Sequence, residues 1–198
     1  MSWRIRLVGV AALVLMAACN KPADQPVAAA PPGPAPGTPE WKIRSAMSAA
    51  PDSITAGATI MDYPASPTAQ MTQLRAGTNG WLCVPDMPMT PGPDPLCGDA
   101  QWQTWLTAWM AHRTPNLTAI GVAYMLAGGS DGSNTNPYAE HPDSGQAWIT
   151  SGPHLMVLSP NPHAYDAMPN TPNNSTPYVM FKGTPFAHLM VPVGVRTM

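Results

Sequence analysis

A His-Leu-Met-Val segment that occurs twice is the part of the chain best suited to chemistry. It spans residues 154–157 and returns at residues 188–191. Side chains of an extended strand alternate between two faces, so the His and the Met of each copy share a face. Imidazole and thioether together form a soft ligand set that suits copper, above all Cu(I). The sequence therefore predicts neighbouring strands that carry a metal site formed by His154, Met156, His188 and Met190.

The same residues also have a purely structural interpretation. Buried Met commonly fills gaps in a core, and a core His commonly hydrogen bonds a neighbour. Two inward-facing His on one sheet would need polar partners, for which Asp62, Tyr63 and Asp166 are candidates. In both interpretations the two rings lie on one face, and directly opposed side chains would have Cβ atoms about 4.5 to 5.5 Å apart.

A glycine-rich segment offers a different chemistry. Residues 128–132 fit the Gly-x-Ser-x-Gly pattern of a hydrolase nucleophile and follow a predicted strand. That nucleophile needs a helix directly after it, whereas residues 133–137 are typical of a loop. Ser130 is therefore a weak catalytic candidate, and a hydrolase is the alternative to a binding or structural module.

The same loop also contains potential calcium ligands. Its Asp131, Asn134, Asn136 and Glu140 supply oxygen atoms, but the spacing lacks the glycine and the final glutamate of an EF-hand. The alternative is that the Asp and Asn residues of this loop form turns and bind no calcium.

Cys83 and Cys97 are predicted to form a disulfide. They enclose a proline-rich loop, and they are the two cysteines that remain once Cys19 is modified as described below. A redox or metal-binding thiol pair is the alternative, although it usually has a closer spacing such as Cys-x-x-Cys.

The N-terminus resembles the signal of a bacterial lipoprotein. Two Arg precede an apolar run about ten residues long, which is too short to span a bilayer and ends in Met16-Ala17-Ala18-Cys19. An ordinary secretory signal is the alternative. We expect a signal peptide at 1–18, a lipidated Cys19 that begins a Pro/Ala-rich tether at 19–40, and a globular domain at 41–198. Asn20 favours the outer membrane, with the protein facing the periplasm.

The globular part has more predicted strands than helices. Helices are expected at 40–50 and 99–113; the second has a stripe of Trp, with Asp99 as its cap and His112 at its negative end. Asn79-Gly80 predicts a hairpin between 71–75 and 81–84, and the apolar run 120–127 predicts a strand buried on both faces. We expect an α+β fold with a largely antiparallel sheet, the Trp helix on one face and long Pro/Gly-rich loops. Further strands are predicted at 58–63, 147–150, 154–159, 178–182 and 188–193, and a helical turn at 162–168.

Composition narrows the range of partners. Only 10% of residues are charged and the net charge is -2, which gives no basic surface for nucleic acid. The expected partners are the membrane, through the lipid anchor, and a metal or small-molecule ligand. We expect a binding or structural module rather than an enzyme.

Three segments resemble an uncharacterised family of exported bacterial proteins. They are residues 77–83, 133–138 and 184–192, and the resemblance extends over most of the chain after Trp41. It implies export of a single domain and implies no particular activity.

We predict that Cys19→Ala abolishes lipidation and releases the protein from the membrane fraction. The physical reason is that several acyl chains, at about 0.8 kcal/mol per buried CH₂, provide the attachment. Fractionation with palmitate labelling measures both effects. Retention of the unacylated variant in membranes would contradict the prediction.

Overall fold

The computed structural model describes residues 33–66 and 69–194 of the chain. The predicted signal peptide, Cys19 and most of the tether lie outside these residues. Within the described ranges, no helix combines the length and the apolar character needed to cross a membrane.

The described residues form three helices and ten strands. The helices are α1 (Pro39–Met47), α2 (Asp52–Thr55) and α3 (Ala100–Met110). The first five strands are β1 (Thr59–Asp62), β2 (Thr72–Arg75), β3 (Leu82–Val84), β4 (Leu96–Gly98) and β5 (Gly121–Met125). The others are β6 (Gly129–Asp131), β7 (Ile149–Ser151), β8 (His154–Leu158), β9 (Tyr178–Met180) and β10 (His188–Pro192).

Eight strands form one sheet in the order β2-β1-β3-β4-β5-β8-β10-β9. Neighbours are antiparallel except β1 and β3, which are parallel. Strands β6 and β7 form a separate antiparallel pair. The prediction of a mixed protein with a large, mostly antiparallel sheet and few helices is confirmed.

Alternation along the strands gives the sheet two different cores. Cys83 and Cys97 point to the face where α1 lies against β1 and β3. Their neighbours Val84 and Leu96 point to the other face, where α3 lies against β4 and β5. This second face also carries the side chains of β8 and β10 that the sequence singled out.

Asp99 connects α3 to the sheet. One carboxylate oxygen accepts hydrogen bonds from the N–H groups of Gln101 and Trp102, which satisfies donors that a helix start leaves open. The other oxygen accepts a hydrogen bond from Val122 N on β5. The predicted N-cap therefore also fixes the position of the helix, whose Trp102, Trp105 and Leu106 are buried against the core.

The predicted hairpin between residues 71–75 and 81–84 is wrong. β1 lies between the two segments, antiparallel to β2 and parallel to β3. The N–H groups of Thr78 and Asn79 both donate to the Gly57 carbonyl instead of closing a hairpin. The Asn-Gly turn is thereby held against the segment that leads into β1.

Gly77 is part of the reason for this arrangement. A Cβ atom at this position would lie 2.1 Å from Thr59 N, so only glycine allows the turn to approach β1 so closely. Asn79 Nδ2 adds a hydrogen bond of 2.7 Å to the Ile54 carbonyl. The chain does bend at residues 78–80, where Asn79-Gly80 predicted a turn. Long-range contacts, however, decide which strands pair.

Three smaller predictions also need correction. β5 is central in the sheet but not buried on both faces, since Val122 and Tyr124 are half-buried on the face that α3 does not cover. Residues 129–131, predicted as loop, form β6, because β7 provides a partner for their backbone. Residues 162–168 form successive turns without a helix.

The Sγ atoms of Cys83 and Cys97 lie 2.07 Å apart, which is disulfide distance. The two residues are directly paired in the β3–β4 ladder and are fully buried beneath α1. The loop they enclose is held separately by its own hydrogen bonds: Asp94 N donates to Asp86, and Met87 N donates to Asp94.

We predict that Cys83→Ala/Cys97→Ala lowers the free energy of unfolding by about 3 kcal/mol, as expected for a crosslink of this loop length. The loop should keep its conformation, because Asp86 and Asp94 still hold it. Urea denaturation with and without reductant measures the change. Two free thiols titrating in the native, unreduced protein would contradict the prediction.

Candidate functional site

The repeated segments lie on adjacent strands and face the same core. β8 and β10 pair in antiparallel register, so Met156 lies opposite Met190, His188 opposite Leu158, and His154 opposite Pro192. Both His and both Met are buried on the face that carries α3. The strand pair therefore has two opposed thioethers at its centre and one imidazole near each end.

This register corrects one predicted distance. Directly opposed rings would be close enough to share a metal, but the directly opposed pair is Met156 and Met190. Antiparallel pairing reverses the order of one copy, which separates His154 from His188 by four residues along the strands. A repeated sequence does not predict this separation, because the same repeat is compatible with parallel and with antiparallel strands.

Each imidazole is oriented by a backbone carbonyl of its own chain segment. His154 Nδ1 lies 2.7 Å from the Gly152 oxygen, and His188 Nδ1 lies 2.9 Å from the Phe186 oxygen. A carbonyl oxygen can only accept, so both Nδ1 atoms carry the proton. In the neutral ring Nε2 then has a free lone pair, which is the usual arrangement of a metal-binding histidine.

Both imidazoles lie on the face of the sheet that also carries Met156 and Met190. Gly152 and Phe186 each precede their strand, and the strands run in opposite directions, so the anchoring carbonyls lie at opposite ends. The two nitrogens of an imidazole point in roughly opposite directions. Each Nε2 therefore points away from its anchoring carbonyl.

Both Nε2 atoms are buried and have no hydrogen-bond partner among the described residues. His154 is 2% exposed and His188 is 1% exposed. Burial lowers the pKa of His188 to about 4, with a smaller lowering from His154, and burial also lowers the pKa of His154. Both rings are consequently neutral at physiological pH.

None of the candidate polar partners is hydrogen bonded to these rings. Asp62 forms an ion pair with Lys42, and Asp166 lies 2.9 Å from the exposed His163. Tyr63 is close enough to line the same cavity, and burial raises the pKa of its hydroxyl. The two buried histidines thus keep acceptor atoms that the described protein does not use.

His154 and His188 line a cavity of about 370 Å³, a volume within the usual range of small-molecule sites. Its lining combines soft and aromatic side chains with a few polar groups. Six Met line it: Met87, Met89, Met125, Met156, Met180 and Met190. Four Trp line it as well: Trp102, Trp105, Trp109 and Trp148.

Two acidic side chains in the lining are partly desolvated. Burial, with a smaller effect from the charge of Asp94, raises the pKa of Asp131 to about 7. Burial also raises the pKa of Asp94 to about 6, although the hydrogen bond from Met87 N opposes the shift. The cavity therefore contains carboxyl groups that change charge near neutral pH, and sequence reasoning gave neither a role at a site with the histidines.

Ser130 does not have the surroundings of a hydrolase nucleophile. It lies within β6, and turns and bends rather than a helix follow it. His154 and His188 are hydrogen bonded to carbonyl groups and not to Ser130. The loop residue Asn134 donates to the carbonyls of Asn170 and Val179, a structural use of its amide.

His112 is placed differently from the prediction. α3 ends at Met110, and His112 adopts a positive φ of 50° beyond it. Its ring stacks on Tyr138 with 4.2 Å between centroids and 7° between planes. The residue forms part of the cavity wall, and the aromatic contact that holds it there joins segments too distant in sequence to predict.

Among the described residues, no group of three or more His, Cys, Asp or Glu side chains is arranged to hold a metal ion.

Comparisons with known proteins give no assignment. No family model matches the chain, and neither the curated proteins nor the solved structures contain a match. The resemblance to an uncharacterised exported family stays a prediction.

We predict that Asp131→Asn stabilises the protein at about pH 8 and has little effect near pH 4. The folded pKa of about 7 lies above the ordinary value of 3.8, so the folded state binds this proton more tightly. The stability from Asp131 is present below pH 3.8 and is lost as the pH rises through 7. Because the site is partly exposed, we expect a gain of about 1 kcal/mol.

Urea denaturation at the two pH values tests this prediction, with the exposed Asp143→Asn as the matched control. The buried histidines act in the opposite sense: their lowered pKa values cost stability as the pH falls below 6.5. They are common to both proteins and cancel in the comparison. A gain that is absent, or equal at both pH values, would show that Asp131 is not desolvated.

Proposed function

We propose that this protein is an exported, lipid-anchored module that binds a soft monovalent metal ion, Cu(I), through His154, Met156, His188 and Met190. The observation that carries the proposal is the pair of buried Nε2 lone pairs without partners among the described residues, on the same face of the sheet as two opposed thioethers. Leaving a buried acceptor unpaired is costly, so a ligand that pairs with it provides compensation.

The ligand types select the metal. Thioether sulfur and neutral imidazole suit Cu(I), whereas Ca²⁺ and Mg²⁺ need several oxygen ligands. Opposed residues of an antiparallel pair have Cβ atoms about 5 Å apart, so Met156 and Met190 can both reach one ion. The thioether pair forms the common centre of the site, and each imidazole approaches it from one end.

The low basicity of the imidazoles also favours metal binding. Because burial keeps the pKa of His188 near 4, protons do not compete for its Nε2 at neutral pH. The Nδ1–H bonds to Gly152 and Phe186 fix both rings before an ion arrives. Such fixed orientation of a histidine strengthens its binding to a metal.

In this proposal α3 serves as the amphipathic, Trp-rich helix that covers one face of the sheet. Trp105 packs edge-on against His188 with 5.7 Å between ring centroids, and Phe181 contacts the same ring at 5.5 Å. These aromatic rings exclude water from the imidazole. The long proline-rich loop with Met87 and Met89 forms another side of the cavity.

The location in the cell belongs to the same proposal. The lipobox-like segment before Cys19 and the proline-rich sequence after it support an outer-membrane anchor and a tether. A protein held in the periplasm is exposed to metal ions that cross the outer membrane.

The test is Cu(I) titration of the full chain in detergent, without oxygen, against the coloured chelator bathocuproine disulfonate. We expect the protein to withdraw Cu(I) from the chelator, and Met156→Leu and Met190→Leu each to weaken binding by at least about tenfold. Leucine preserves most of the volume, so these variants should fold normally. His154→Gln and His188→Gln should also weaken binding.

Two controls match these variants. Met47→Leu changes a methionine on the opposite face of the sheet, and His163→Gln changes an exposed histidine. Both should bind Cu(I) like the unaltered protein. No withdrawal of Cu(I), or equal binding by the Met156 and Met47 variants, would overturn the proposal.

A further inference from the structure

The cavity is much larger than a bare metal ion requires, and its charges have one sign. Asp94, Asp131 and Glu140 line it, whereas none of the described lining residues is Lys or Arg. An anionic ligand would therefore be repelled by the ionised carboxylates, and the described lining offers no Lys or Arg to pair with its charge. The four Trp of the lining favour a flat apolar body and also attract cations to their ring faces.

Asp131 and His154 are on facing surfaces. Within β6, Gly129 and Asp131 point to the same side because they are two residues apart. A Cβ atom at Gly129 would lie 3.5 Å from His154 Cε1, which shows that this side of β6 faces the imidazole. The Asp131 side chain begins about 7 Å further along the strand.

Both groups are acceptors without partners in the part of the chain described. His154 Nε2 is buried and unpaired, and the Asp131 carboxyl makes no hydrogen bond there. The methyl end of Met125 also lies beside Gly129, 2.9 Å from where a Cβ atom would be, so the absence of a side chain at Gly129 leaves room for this methyl group. A ligand in the cavity that brings N–H donors to His154 and Asp131 would satisfy both acceptors.

We propose that the cavity binds a small organic ammonium ion with an aromatic or apolar body. The ammonium N–H groups donate to His154 Nε2 and to Asp131, and the body packs between the Trp side chains. This site goes beyond the Cu(I) site, and it needs no metal because its recognition uses one imidazole and a carboxylate.

The charge of Asp131 gives the site a pH dependence. The groups that face it are Asp94 from the proline-rich loop, Tyr178 from β9, His154 from β8 and Glu140 from the cavity wall. Burial raises the pKa of Tyr178 and lowers that of His154, which favours the neutral form of both groups. Ionisation of Asp131 near pH 7 and of Asp94 near pH 6 therefore strengthens ammonium binding as the pH rises.

The experiment uses the full chain in detergent, with bathocuproine disulfonate present to remove copper. Tryptophan fluorescence follows titrations with benzylamine, benzyl alcohol and phenylacetate, which share a ring and differ in charge. We expect benzylamine to bind at least about tenfold more tightly than benzyl alcohol at about pH 8, and phenylacetate not to bind. Benzylamine affinity should fall as the pH is lowered to about 5.5.

Two variants test the contacts. Asp131→Asn should reduce benzylamine affinity at least about tenfold and leave benzyl alcohol unchanged, whereas the exposed Asp143→Asn should change neither. Gly129→Ala should also weaken benzylamine, because its methyl group would displace the Met125 side chain that lies beside His154 and lines the cavity. Equal binding of amine and alcohol, or an unaltered amine affinity in Asp131→Asn, would overturn the proposal. Since copper is absent throughout, this result is independent of the Cu(I) titration.

Discussion

The antiparallel pairing of β8 with β10 is the constraint on which the site depends. It places Met156 opposite Met190 and sets the two histidines near opposite ends of the pair. It also places the two anchoring carbonyls at those ends, where each holds the Nδ1 side of one ring. A slip of one residue in either strand would move the His and the Met of that strand to the other face of the sheet. The register of this one strand pair therefore determines whether His154, Met156, His188 and Met190 all line the cavity.

The rest of the fold shields this face from solvent and leaves the cavity between the sheet and the elements that cover it. Asp99 fixes α3 to β5, and α3 in turn places Trp105 against His188. Asp94 holds the proline-rich loop that carries the outer methionines of the cavity. Desolvation then lowers the pKa values of the histidines and raises that of Asp131. Cys83 and Cys97, at disulfide distance, lie in the opposite core, so the crosslink and the proposed binding site are on different faces of the sheet.

Local patterns predicted the elements better than their arrangement. The period-two alternation of β8 and β10, the Asp99 cap and the cysteine pair were visible in the sequence because each depends on a few neighbouring residues. The insertion of β1 between β2 and β3 was not visible, since it depends on contacts of Gly77 with Thr59. The role of Asp131 was missed because β6 has three residues and exists only through its pairing with β7.

The most direct test of this account is the protonation of the two buried imidazoles. ¹⁵N NMR of histidine-labelled protein distinguishes Nδ1–H from Nε2–H rings. For metal-free His154 and His188 we expect the Nδ1–H form, and we expect both rings to titrate below the ordinary histidine value, because burial lowers their pKa. A proton on Nε2 of either ring, or titration near the ordinary histidine value, would contradict the free Nε2 lone pairs from which both binding sites are inferred.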